Sequence, residues 1–179
     1  MSNIDIANSF FSHYASAATD NVAAYQGMQQ HLDDHVTFSD MAYNNGIKGK
    51  KVFAMWHWFC TREPAPVKVT FDPSKTKEVG EIVILVYRAE YIFGYNPNVP
   101  GSGKPIDYEI TANLTIKNDK ITDHKDEADI VAWTTQAMGP GAAATSSTPE
   151  FKAKLRGMAE KLLDDFIIEM LLTRCIYKD

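Results

Sequence analysis

Ile82-Val83-Ile84-Leu85-Val86-Tyr87-Arg88-Ala89-Glu90-Tyr91-Ile92-Phe93 is the stretch on which the fold turns. Val83, Leu85, Tyr87, Ala89, Tyr91 and Phe93 share one face of a strand, because side chains alternate sides with period two. Ile82, Ile84, Val86, Arg88, Glu90 and Ile92 take the other face. A strand of this length is expected to twist and curl rather than stay flat. Its outer face is apolar at one end, which implies a cover there, such as a second copy of the chain.

The same alternation continues on both sides. Val67, Val69 and Phe71 alternate with Lys68, Thr70 and Asp72, and Ile110, Ala112, Leu114 and Ile116 oppose Glu109, Thr111, Asn113 and Thr115. A Gly/Pro-rich loop, Asn96 to Pro105, joins the last two strands and is expected to be flexible or functional. Asn118-Asp119 marks a tight turn into a strand starting at Lys120 to His124. Upstream, Lys50 to Cys60 reads as a helix apolar nearly all round, stopped at Arg62-Glu63-Pro64-Ala65-Pro66. Before it, Val36-Thr37-Phe38 is a short strand ending at Ser39-Asp40, followed by the turn signal Asn44-Asn45-Gly46. Helical spacing over Ile4 to Ala18 puts Ile6, Phe10, Tyr14 and Ala17 on one face. A second helix, capped at Thr19 or Asp20, runs to about Gln30 with Val22, Tyr25 and Met28 inward. Helices followed by a run of strands give an α+β class with a mainly antiparallel sheet.

Downstream, residues 140–147 read as a low-complexity linker. Thr148 then caps a helix reaching about Arg174, with Pro149 at its first position. Leu155, Met158, Leu162, Phe166 and Met170 form its stripe, widened by Ile167, Leu171 and Leu172. The expected division is an α+β domain over 1–139, with 140–179 as linker and helix packing on that domain or on a partner subunit.

At 179 residues and 45% hydrophobic content, one domain has enough material for a real core. A net charge of −5 argues against broad attraction to nucleic acid or an anionic membrane. The dense cluster Lys48, Lys50 and Lys51 reads as a solvated helix start. Cys60 and Cys175 lie in apolar neighbourhoods and read as small core hydrophobes. No run reaches the roughly 18 apolar residues of a membrane span, and the N-terminus lacks a basic leader, so a cytoplasmic protein is expected.

The segments Leu32-Asp33-Asp34-His35-Val36-Thr37-Phe38-Ser39-Asp40, Lys48-Gly49-Lys50 and Lys120-Ile121-Thr122-Asp123-His124-Lys125-Asp126, with the trailing Trp133, carry a further signal. In this element order they resemble the nuclear transport factor 2-like superfamily, nearest to SnoaL-like proteins and ketosteroid isomerases, over residues 4–138. The resemblance implies a cone-like roll: a strongly curved sheet packed on N-terminal helices around an apolar pocket. The helix after Thr148 is additional to the minimal pattern.

In ketosteroid isomerases the carboxylate matching Asp40 is the general base, and a phenol matching Tyr14 donates to a developing oxyanion. SnoaL-like cyclases carry an acid/base aspartate where Asp126 falls. The isomerase's second donor falls near Ala112, a departure from that pattern. From the residues alone, Asp40 reads either as a base in apolar surroundings or as a turn aspartate. Tyr14 reads as an oxyanion donor or as a core tyrosine. His124 shares a strand face with Asp126, which suits a proton-moving pair or a structural link. His57, between two tryptophans, is a candidate donor or a pocket-lining histidine. Phe53, Trp56, Tyr87, Tyr91 and Leu114 are the expected pocket wall. His31 and His35 stand four apart near Asp34 and Asp40, but no metal is assigned, and no cofactor is expected.

Two functional readings follow. One is a cofactor-independent isomerase, cyclase or dehydratase working by acid/base chemistry on a small, largely apolar cyclic or polyketide-like compound. The other is a non-catalytic small-molecule binding protein, or a dimeric adaptor, of the same fold.

Overall fold

The computed structural model describes residues 1–176, with side chains through Leu172. Six α-helices and seven strands are described in these residues: α1 (Asn3–Ala15), α2 (Asn21–Gln29), β1 (Leu32–Ser39), β2 (Ile47–Lys48), α3 (Lys50–Thr61), β3 (Lys68–Phe71), β4 (Lys77–Val79), β5 (Ile82–Phe93), β6 (Lys104–Lys117), β7 (Lys120–Glu127), α4 (Ile130–Met138), α5 (Pro140–Ala143) and α6 (Pro149–Ile176).

The helix starts follow from side-chain caps. The Ser2 hydroxyl accepts from the Asp5 N–H while the Asp5 carboxylate accepts from the Ser2 N–H, a reciprocal capping box. Asp20 caps α2 by accepting from the Ala23 N–H at 3.0 Å. Asp20→Ala is expected to lower stability by about 1 kcal/mol, measured by urea denaturation. The face that α2 buries is Ala24, Gly27 and Met28, whereas Val22 is exposed. The expected inward role of Val22 is therefore wrong: α2 lies close on its neighbours through small residues, and Val22 turns to solvent.

The sheet runs β2-β1-β7-β6-β5-β3, with β4 pairing β5 beside β3, and it is not closed. All pairings are antiparallel except β1 with β7. Register shifts interrupt β1/β7 between Leu32 and Thr37 and β6/β7 between Thr115 and Ile116. Such irregularities bend a strand and increase its twist. The α+β class and the roll of sheet on N-terminal helices match the sequence expectation.

Val83, Leu85, Tyr87 and Ala89 of β5 are buried against α1 and α3, and Ile82 and Val86 on the reverse face are exposed. Trp56 of α3 is at the centre of the core, with ring contacts to Phe10, Tyr14, Phe38, Phe59 and His124. Cys60 is buried with a free thiol, and the Cys175 side chain lies outside those described.

Three segments depart from expectation. β6 begins at Lys104, inside the stretch read as loop, and the remaining loop is closed by Ser102, whose hydroxyl accepts from the Asn96 N–H and donates to the Asn96 carbonyl. Residues 130–138, unassigned from sequence, form α4, capped by Asp129 and buried through Trp133, Thr134 and Ala137. The stretch read as a linker carries α5 and a turn in which the buried Ser146 hydroxyl donates to the Ala143 carbonyl. Alanine repetition looks like low complexity, yet alanine is the strongest helix former.

Thr148 caps α6 as expected, accepting from the Phe151 N–H. α6 lies across α3, with Leu163 fully buried, the Tyr43 hydroxyl donating to the Ala159 carbonyl, and Lys51 paired with Asp164. Leu171 and Leu172, expected to widen the inward stripe, are exposed. Leu163 does that work instead. No described helix is long and apolar enough to cross a membrane.

Candidate functional site

A cavity of about 980 Å³ opens between the inner face of β5 and β6, the C-terminal end of α3, α4 and α6. Leu155, Met158, Leu162, Phe166 and Met170 of α6 line one side, so the terminal helix lies over the cavity of its own chain. Met158 and Leu162 are also partly solvent-exposed, which places them at the mouth.

Parallel pairing of β1 with β7 decides where the polar groups gather. Parallel neighbours end on the same side of a sheet, and Ser39 pairs with Lys125. Asp40 and Asp126 therefore arrive together at the cavity, which both line. Their local roles differ. Asp126 is engaged on both oxygens: Oδ2 accepts from the Tyr87 hydroxyl at 2.6 Å and Oδ1 from His124 Nε2 at 2.8 Å. His124 is fully buried, and its Nδ1 has no hydrogen-bond partner among the described residues.

Asp40 keeps one oxygen available. Oδ1 accepts from the backbone N–H groups of Ala42 and Tyr43, at 2.8 and 2.6 Å, while Oδ2 has no hydrogen bond from the described residues. Protein surrounds the carboxylate, and it meets solvent through the cavity. Loss of hydration pushes its pKa up to about 6, against the two backbone N–H groups, which favour the charged form. The nearby Asp126 adds to the upward push.

Facing these acids is a wall of phenols. Tyr14 is almost completely buried, and its hydroxyl has no hydrogen-bond partner among the described residues. Desolvation holds its pKa well above the ordinary phenol value, so it is a donor at neutral pH. The Tyr91 hydroxyl accepts from Trp133 Nε1 at 2.7 Å, and the Tyr91 and Tyr108 rings lie 6.3 Å apart between centroids. An indole N–H only donates, so the proton of Tyr91 is not spent on the Trp133 contact.

Arg62 completes the site. Its Nη2 donates to the Ile92 carbonyl at 2.8 Å, and the guanidinium lies over the rings of Trp58 and Tyr91 at 5.3 and 4.8 Å.

The cavity brings together Asp40, Asp126, Tyr14, His57, Tyr87 and Tyr91 of the residues singled out from sequence. His124 stands behind Asp126 rather than on the surface of the cavity. His57 stacks on Tyr25 with 4.4 Å between ring centroids, and its Nδ1 meets the sulfur of Met170 at 2.9 Å. Trp56 and Leu114 are core residues, 1% and 0% exposed, and Phe53 packs against that core; none of the three lines the cavity. The correction has a geometric cause: the β5/β6 face is filled by α1 and α3 at one end and left open only toward Tyr91. Ala112, where the isomerase pattern has an acid, pairs across the ladder with Asp126, so a carboxylate reaches this region from the adjacent strand.

Arg62, Tyr108, Tyr43 and Trp133 also line the cavity and were not singled out as site residues. Arg62 read as part of a helix stop. Tyr108 fell inside a strand whose start was assigned too late. His31 hydrogen-bonds to Ser9 and His35 is exposed, and among the described residues no three His, Cys, Asp or Glu side chains form a metal-binding group.

No protein-family model matches the sequence, and no curated protein does. Solved structures do. A structure named as a SnoaL-like polyketide cyclase from Jannaschia sp. CCS1 superposes with a TM-score of 0.58 at 15% identity, over 82% of this chain and 93% of that one. An epoxide hydrolase from M. tuberculosis, described as LEH-like, gives 0.55 at 11% identity over 80% and 98%. A ketosteroid isomerase-like protein from Catenulispora acidiphila, in complex with trimethylamine, gives 0.51 at 16% identity over 72% and 91%. The chain thus has the nuclear transport factor 2-like fold, in the form found in SnoaL-like and ketosteroid isomerase-like proteins.

Proposed function

We propose that this protein is a cofactor-independent acid/base enzyme acting on a small, largely apolar carbonyl compound, by abstraction of a proton next to the carbonyl. One observation carries the reading: an Asp40 carboxylate raised to about 6, with a free oxygen, shares an apolar cavity with the unpartnered Tyr14 hydroxyl. A base of that pKa is ionised at neutral pH yet strong enough to take a proton from a carbon acid. As the proton leaves, charge develops on the carbonyl oxygen, and the Tyr14 and Tyr91 hydroxyls are the donors available to meet it. In the Tyr87–Asp126–His124 chain both carboxylate oxygens already accept hydrogen bonds, and its role in this scheme is to hold Tyr87 and the strand ends in place. The aromatic lining and α6 exclude water, which strengthens each of these interactions.

The reading is tested by ¹H NMR in D₂O with a panel of cyclic ketones and 1,3-diketones. The expected result is enzyme-dependent loss of the α-proton signal for at least one member. Tyr14→Phe is expected to slow that exchange about a hundredfold, with an unchanged melting temperature, through loss of one oxyanion donor. Exchange at the wild-type rate in Tyr14→Phe would remove the phenol from the scheme.

A further inference from the structure

We infer that the cavity is built for a ligand with a carboxylate on its apolar body, held by Arg62, so that the compound it takes is an oxo acid rather than a neutral ketone. The inference deepens the proposed acid/base reading by naming the substrate class of the same site.

Arg62 is the single Lys or Arg among the described residues lining the cavity. It has no carboxylate at ion-pair distance among those residues, and its charged group sits against the rings of Trp58 and Tyr91. Elsewhere in the chain the cations beside carboxylates pair with them, as in Arg88–Asp107, Lys68–Glu90 and Lys51–Asp164. A desolvated guanidinium without a counter-charge is costly, and arginine does not shed its proton to escape the cost. One of its five N–H donors serves the Ile92 carbonyl, and the two aromatic rings fix the plane of the group. The remaining donors form a rigid fork, the shape that matches a carboxylate.

The neighbours of Arg62 strengthen the argument. Trp133 donates to the Tyr91 oxygen, a contact that does not use the Tyr91 proton, and the Tyr14 hydroxyl has no hydrogen-bond partner among the described residues. This end of the cavity therefore offers guanidinium and phenol donors. The carboxylates of Asp40 and Asp126 lie at the ends of β1 and β7, and Glu63 and Glu169 also line the cavity. A ligand that satisfies both ends has an oxygen anion at Arg62 and an acidic C–H toward Asp40.

The test is equilibrium binding of 2-naphthoate and methyl 2-naphthoate, followed by quenching of tryptophan fluorescence. Naphthoate is expected to bind the wild type at least about tenfold more tightly than the ester, the value of a charge-assisted hydrogen bond. Arg62→Gln is expected to erase that preference while keeping ester affinity, which shows that the cavity is still formed. Arg62→Lys is expected to keep part of it. Equal affinity for the two probes in the wild type, no naphthoate binding up to its solubility, or an undiminished preference in Arg62→Gln would overturn the inference. Preference for naphthoate without any α-proton exchange would overturn the proton-transfer reading and leave this one standing. Exchange confined to neutral ketones, without the preference, would do the reverse.

Discussion

Asp40→Asn is expected to lower α-proton exchange by about 10²- to 10⁴-fold, the range for removal of a positioned general base. The same substitution is expected to stabilise the folded protein at neutral pH, and the opposite signs make the pair diagnostic. The folded Asp40 pKa is about 6 against the ordinary aspartate value of 3.8, so the folded state holds its proton more tightly than the unfolded chain. The associated stability is complete below pH 4 and is lost as pH rises through 6. Asparagine avoids that loss and can still accept from Ala42 and Tyr43. The gain above pH 7 is expected to be about 1–3 kcal/mol in urea denaturation, shrinking toward zero at pH 4. The wild-type exchange rate is expected to rise with pH to a plateau, with its midpoint near 6. A variant that loses activity and stability together would point to Asp40 as a structural turn residue instead.

Trp56→Ala is expected to cost about 3–5 kcal/mol, because the indole is fully buried and its removal leaves a cavity the neighbours cannot close. The ring touches α1 through Phe10 and Tyr14, β1 through Phe38, and β7 through His124. Losing it loosens the joint between the first helix and the parallel strand pair. By contrast Tyr91→Phe leaves the ring in place and removes the acceptor of Trp133 Nε1. Its expected effects are a slower exchange rate and a stability loss of about 1–2 kcal/mol from the unpaired indole N–H. Chemical denaturation of both variants separates a core residue from a cavity residue. A loss under about 1 kcal/mol for Trp56→Ala would contradict its place at the centre of the packing.

Trp56 also shows where reading from sequence stops. Its helix is apolar nearly all round, so burial was legible, but burial does not say whether a ring faces a neighbour or an empty space. The β5 alternation was legible for the same reason that it fixed the fold: every second residue must choose a side, and Val83 to Ala89 chose the interior. The contrast between Tyr87 and Tyr91 was not. They share a face, but Tyr87 donates to Asp126 while Tyr91 is an acceptor for Trp133 from a helix the sequence left unassigned. Asp40 and Asp126 were legible through the family resemblance, which places an acid near the end of each of these two strands. That they meet depends on parallel pairing between strands some eighty residues apart, which local patterning does not encode. Arg62 was hidden by its context, since two nearby prolines explained the segment as a helix stop before its side chain was considered. The α6 stripe from Leu155 to Met170 was visible as periodicity, and only the fold shows that it faces its own chain's cavity.

The proposed chemistry depends on a carboxylate whose pKa its surroundings raise to about 6. The direct measurement is a pH titration of the aspartate side-chain ¹³C carboxyl resonances in the wild type, with the Asp40 signal assigned by its absence in Asp40→Asn. A midpoint at about 6 is predicted. A midpoint near the ordinary aspartate value of about 4 would show a solvated turn aspartate and contradict the account.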